Sequence, residues 1–250
     1  MTAADVLSKE QFEELVGSYS QALERMGALK TAKDGQRPLS ELDAYRYDKA
    51  PRLFSAGESV RDMDLEAVKT LVEWKLRHGK FRPTLMSLVS SNDPVTVKNI
   101  IRDAIGGYRE DGDAAAAVDA LSKLRGVGPA TASLLLSVHD PDRVIFFSDE
   151  AYYWLCCGGV KSPIKYNAKE YQQLLAQARE LAARIKVSTM EVEKAAFVAM
   201  RQSTDVVSAK TSNSKTPRAR TNIVKRKKTP ELDKPKAQAE PPRRSKRRKA

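Results

Sequence analysis

Leu124-Arg125-Gly126-Val127-Gly128-Pro129-Ala130-Thr131-Ala132 is the stretch that decides how this chain folds. A helix-forming run, Ala114 to Leu124, leads into it, and a second run continues from Pro129 through Leu134, Leu135 and Leu136. Between them, Gly126 and Gly128 allow the tight turn, where positive φ and close approach are needed. Pro129 suits the first position of the second helix, because its missing N–H would be unpaired there in any case. Val127 can tuck inward and pin the turn. What remains is a group of unpaired backbone N–H groups at a helix start with the helix dipole behind them, an arrangement that holds phosphate. Main-chain donors grip a sugar–phosphate backbone without reading bases. An αα-hairpin with only a packing role is the alternative.

Outward from this hairpin (114–138) the periodicity is helical nearly throughout. Asp64 reads as an N-cap, followed by a stripe of Leu65, Val68, Leu71, Val72 and Leu76, with Gly79 as the stop. Further helices are predicted over 8–28, 39–48, 94–106, 114–124, 129–138, 149–157, 167–186 and 188–202. Asp93-Pro94 is a start signal, and Ser188 opens a Ser-x-x-Glu capping box with Glu191. Val144-Ile145 is too brief to build a sheet. The fold class is all-α.

The net charge of +12 is local. Residues 203–250 carry 16 Lys/Arg against 4 Asp/Glu, which leaves 28 of each sign from the chain's 44 and 32 in residues 1–202. The sequence therefore divides into a near-neutral helical domain, 1–202, and a basic tail, 203–250. The tail has five prolines and no aromatic residue, a composition that cannot offset the entropy of ordering, so it is predicted to be disordered. Its clusters, Lys225-Arg226-Lys227-Lys228 and Arg243-Arg244-Ser245-Lys246-Arg247-Arg248-Lys249, read as nuclear-import signals or phosphate-binding arms. The expected location is the nucleus, and the expected partners are DNA and the import machinery.

Adjacent Cys156 and Cys157 rule out a disulfide framework and a four-cysteine metal site, and they fit a reducing compartment. His78 and His139 are too far apart in sequence to suggest metal ligation, so neither metal nor cofactor is expected. His78 reads as a surface residue. No apolar run approaches a membrane span and no signal peptide is evident, so the expectation is a soluble intracellular protein with no membrane association.

The stretch from Leu124 to Ala132 resembles the helix–hairpin–helix motif, Leu-x-Gly-hydrophobic-Gly-x-x-Thr-Ala. Downstream, the chain is similar to the helix–hairpin–helix DNA glycosylase superfamily, which includes endonuclease III. In that family a Gly/Pro-containing loop and then an essential Asp follow the motif. Here the loop is His139-Asp140-Pro141-Asp142-Arg143, and Asp149 stands 19 residues past Ala130. The resemblance covers residues ~1–202, a length suited to one helical unit. It implies DNA contact by Arg125, Gly126, Val127, Gly128, Pro129, Ala130 and Thr131. It also implies that Asp149 stabilises positive charge on the sugar as a flipped-out base departs. Two departures stand out. Members with lyase activity carry a lysine where this chain has Ala130, so strand scission by that amine is not expected. The iron–sulfur cysteines of the endonuclease III branch are missing.

Candidate pocket walls are Tyr45, Tyr47, Trp74, Phe81, Tyr152, Tyr153 and Trp154, which could equally be core. The run from Trp74 to Pro83 interleaves Lys75, Arg77, His78, Lys80 and Arg82 with Trp74 and Phe81, as where backbone and bases are both touched. It resembles a run in eukaryotic proteins with the same hairpin, which implies a separate branch. Ser148 also reads as an N-cap, which would make Asp149 and Glu150 ordinary helix-start acids. Three readings stay open at this level: a monofunctional base-excising enzyme, a non-enzymatic DNA or chromatin binder, and a protein-interaction scaffold.

Overall fold

The computed structural model describes residues 4–29, 35–55 and 61–212, with side chains to Gln202. Among these residues the chain is all-helical, with no strand. The helices are α1 (Lys9–Gly17), α2 (Tyr19–Leu29), α3 (Leu39–Ala44), α4 (Ala50–Phe54), α5 (Leu65–His78), α6 (Leu85–Ser90), α7 (Pro94–Asp111), α8 (Ala114–Leu121), α9 (Pro129–His139), α10 (Asp149–Cys156), α11 (Ala168–Ile185) and α12 (Thr189–Ser212). No described helix is long and apolar enough to cross a membrane. Disorder was expected from residue 203, but the chain is helical to Ser212; the rest of the tail, with both basic clusters, lies outside the described residues.

The centre of the fold is α9. Every residue from Thr131 to His139 is buried, so the helix is enclosed rather than amphipathic. It packs against α8, α5 and α4, while α12 packs against α1, α2, α10 and α11. The cap signals operate as their side chains dictate. Asp64 accepts from the Ala67 amide at 2.8 Å, and Asp93 from the Thr96 amide at 2.8 Å. Ser188 and Glu191 form the reciprocal box, at 3.1 and 2.8 Å.

Departures from the sequence reading have local causes. The run 8–28 breaks at Ser18, whose hydroxyl donates to the Glu14 carbonyl at 3.0 Å. Helix α7 runs past 106 to a left-handed Gly112, because Tyr108 is buried and its hydroxyl is fixed to Asp140 at 2.7 Å. Between α3 and α4 the chain makes one wide turn, Tyr45–Lys49, closed by the Ala50 amide on the Tyr45 carbonyl. That turn points Arg46 and Tyr47 inward, where both bond the buried Glu193, at 3.1 and 2.6 Å. His78 is not a surface residue: it stacks on Trp74 at 4.5 Å and is 5% exposed. Helix α12 continues to Ser212, past the boundary expected at 202.

Candidate functional site

The short helix α6, which no periodicity announced, is the pedestal of the hairpin. Gly126 has φ +78°, and a Cβ there would lie 2.9 Å from Leu88 Cβ and 3.1 Å from the Val89 amide nitrogen. Its glycine is thus demanded twice, by backbone conformation and by packing. Asn92, just past α6, clamps the next turn: its Oδ1 accepts from the Arg125 amide at 2.8 Å, and its Nδ2 donates to the Arg125 carbonyl at 2.9 Å. Leu124 and Val127 are each 4% exposed and anchor the turn from within, Val127 as its position predicted.

Gly128 behaves differently from the expectation. Its φ of −99° is open to any residue, so positive φ is not its reason for being glycine. A Cβ added there would meet nothing within 4 Å, and the residue is exposed. The open space lies on the outer face, where the turn is uncovered by other described residues. The group of free amides is smaller than the sequence suggested. The Arg125 amide goes to Asn92, that of Val127 to the Leu124 carbonyl, and that of Thr131 to the Gly128 carbonyl. The amides of Gly126, Gly128 and Ala130 have no acceptor among the described residues. Pro129, at the first helical position, has none to offer.

Asp149 is delivered to this turn by the extended stretch Val144–Phe147, four apolar residues at 5% exposure or less. The Phe147 amide donates to the buried Ser133 hydroxyl on α9 at 2.9 Å, fixing the stretch against the hairpin's own helix. Ser148 then caps α10, accepting from the Ala151 amide at 3.0 Å, so Asp149 is the first helical residue. The helix-start account of Asp149 therefore holds geometrically, but its carboxylate is also occupied elsewhere. Oδ1 accepts from the Tyr166 hydroxyl, and Oδ2 pairs with Lys80 Nζ at 2.6 Å.

Asp149 and the hairpin share one cavity of about 510 Å3, within the size range of small-molecule sites. Gly126, Gly128, Pro129 and Ala130 form one side of it, and Phe146, Phe147 and Tyr166 supply the aromatic surface. Lys75 reaches in from α5, its Nζ donating to Thr131 Oγ1 at 2.6 Å and lying 5.8 Å from the Phe146 ring centre. Burial, reinforced by the Arg82 charge and opposed by Asp149, pulls the Lys75 ammonium down to about 7. The hydrogen bond and charge of Asp149 move Lys80 the other way, upward. Burial and the bond to Asp149 raise the Tyr166 phenol, which stays protonated. Arg82 and Arg201 also line the cavity, so cations outnumber the carboxylates of Asp149 and Glu150. A second cavity of about 430 Å3 adjoins, sharing Lys80, Asp149, Glu150 and Arg201 and adding Tyr153.

Tyr166 sits at φ +54°, a rare conformation for an aromatic residue. It is held there by Glu170, which accepts from its amide at 2.8 Å, and by its ring against Phe147 at 5.3 Å. Such strain collects where a side chain must point at a site.

Several sequence-predicted site residues fall elsewhere. Trp74 is 0% exposed and donates its indole N–H to Asp43 at 2.9 Å, so it is core and not a pocket wall. Tyr152, Tyr47 and Trp154 are likewise buried in packing, because helical spacing carries them to the inner face. The Thr131 side chain faces inward to Lys75, and that of Val127 is buried, so neither offers a side chain to an outside strand. Arg125, Lys80, Phe81 and Arg82 are exposed, the Phe81 ring 74% so. Tyr166, Phe146, Phe147 and Arg201 were missed.

Compared with known proteins, the chain matches no family model, no curated protein and no solved structure.

Proposed function

We propose that this protein binds DNA through the Arg125–Ala130 turn and excises a base in the adjoining cavity, with Asp149 as the central carboxylate. The observation that carries the reading is the shared cavity: an anion-seeking turn and a partly buried carboxylate open onto one space with aromatic surface. Three free amides at the start of α9, with Arg125 beside them, suit a phosphodiester. Lys80, Arg82 and Arg201 extend that preference around the mouth. A nucleotide swung out of the duplex would stack on the half-buried ring of Tyr166. Asp149 then stabilises the cationic sugar as the base leaves and orients the attacking water. The helix–hairpin–helix glycosylase resemblance supports the same reading. The tail clusters would add polyanion affinity and direct nuclear import.

A second reading, a non-enzymatic DNA binder, is favoured by one specific feature. Ser148, Tyr166 and Lys80 together account for Asp149 as a helix-start acid with both oxygens bonded. The two separate on duplexes carrying a panel of damaged and mispaired bases, assayed for abasic sites. Excision is expected from the wild type and reduced by about 100-fold or more in Asp149→Asn, a variant that retains DNA binding. Binding without abasic product on any lesion would leave the binder.

A further inference from the structure

At the far end of α9 from the hairpin, a buried imidazole nitrogen with no partner opens onto a small cavity rimmed by arginines. We infer that this cavity binds a phosphate group carrying its own O–H, as inorganic phosphate or as the head of a monoester. It has a volume of about 50 Å3, with Arg61, Arg102, Arg109 and His139 in its wall. A single water needs about 10–15 Å3 of such space, so the cavity suits one tetrahedral oxyanion. It shares no residue with the two larger cavities. Pro129 and His139 are the two ends of α9, which places the site about 15 Å from the start of that helix.

Charge and hydrogen bonding together fix the ligand's chemistry. Arg102, Ile105 and Arg109 fall on one stripe of α7, and Arg61 joins them from the segment before α5. The carboxylate in the wall, Asp62, is paired with Lys98 at 3.1 Å, and Arg102 meets Asp103 at 3.5 Å. Three guanidinia against one paired carboxylate draw an oxyanion, which their planar forks suit. His139 adds the selectivity. Its Nδ1 lies 2.8 Å from the Phe54 carbonyl, which can only accept, so Nδ1 carries the hydrogen. Arg109 donates to the same carbonyl at 3.2 Å, which ties the two side chains together. Burial, helped by the Arg109 charge and opposed by the bond to Phe54, keeps the ring neutral at pH 7. Nε2 is therefore a lone-pair acceptor, in a residue 7% exposed, with no partner among the described residues. It needs a donor, and an oxyanion that keeps a proton supplies one. Hydrogen phosphate offers its P–OH to Nε2 and its remaining oxygens to the arginines. Sulfate has no hydrogen to give, and it would set lone pair against lone pair. A phosphodiester has none either, so the DNA backbone is not this site's ligand.

The test titrates the full chain at pH 7, in a buffer free of oxyanions, with inorganic phosphate, phenyl phosphate, dimethyl phosphate and sulfate. Calorimetry reads affinity, and nitrogen NMR reads His139 Nε2. The chain's other histidine, His78, is packed on Trp74, so the His139 resonance localises binding apart from the basic tail. Inorganic phosphate should saturate one site and move the Nε2 resonance, at least about tenfold more tightly than sulfate or dimethyl phosphate. Phenyl phosphate binding as well as inorganic phosphate would support a monoester as the source, and inorganic phosphate alone the free ion. His139→Phe keeps a ring without the acceptor, and should bring phosphate and sulfate to within about twofold of each other. Arg102→Met should weaken both anions about tenfold and keep the preference. Thermal melts establish that the variants fold, and the wild-type Nε2 resonance decides if His139→Phe does not. Equal binding of phosphate and sulfate, a phosphate site that leaves Nε2 unmoved, or no saturable binding overturns the inference. None of these outcomes touches the DNA-binding reading.

Discussion

Lys75 should cost the folded protein stability, and the cost should depend on pH in a direction the structure fixes. Its ammonium titrates near 7 in the fold against an ordinary value of 10.5. Between those values the unfolded chain holds a proton that the folded chain has released, so stability rises with pH across that window. The penalty is complete below pH 7 and gone above 10.5. One pH unit corresponds to about 1.4 kcal/mol for an ideally buried group. Solvent reaching this open cavity reduces that to about 1 kcal/mol per unit. Lys75→Met removes the titration while keeping an unbranched apolar side chain of nearly the same length. Urea denaturation of both proteins at pH 7, 8 and 9 should show the variant more stable at pH 7, by about 3 kcal/mol. The gap should shrink by about 1 kcal/mol per unit as pH rises. Lys80 and Tyr166 keep their protons through this range, since Asp149 raises the first and burial the second. Groups common to both proteins cancel in the difference. Parallel stability curves would refute the reasoning, because they would mean that Lys75 stays charged and solvated.

The two hairpin glycines should part company: Gly126→Ala meets Leu88 at 2.9 Å and a φ of +78°, and should cost about 2–4 kcal/mol in urea melts. Gly128→Ala, with open space and φ −99°, should cost under about 1 kcal/mol. His139 is buried, its Nδ1–H donating to the Phe54 carbonyl at 2.8 Å, and burial lowers it to about 4. Its unfolded form takes a proton below about pH 6.5, so stability should fall by about 1.4 kcal/mol per unit from there toward pH 4, and His139→Gln should lack that component.

The hairpin was legible because its signals are local. Two glycines, a proline and flanking apolar runs within nine residues specify a turn and a helix start without help from the rest of the chain. Val127 went inward and Pro129 took the first helical position as read. The cavity was less legible because its members come from distant segments. Asp149 was found by spacing, but Tyr166 reaches it from a loop with no motif. Lys75 did leave a trace: it falls four residues after Leu71 and three after Val72, on the apolar stripe of α5, where a charged residue is out of place. That trace was masked by the neighbouring basic residues, which made 74–83 look like a surface patch. Aromatic residues misled for the converse reason. Trp74 and Tyr152 share the helical spacing of core residues, and composition cannot tell a pocket wall from packing.

The account depends on the free amides of the Arg125–Ala130 turn holding a nucleic-acid strand. Amide NMR of the full chain, titrated with a short duplex containing an abasic-site analogue, reads that contact directly. The resonances of Gly126, Gly128 and Ala130 should shift together and saturate with the duplex, and Gly128→Asp should abolish those shifts without unfolding the protein. Shifts confined to residues 203–250, with the turn unmoved, would contradict it.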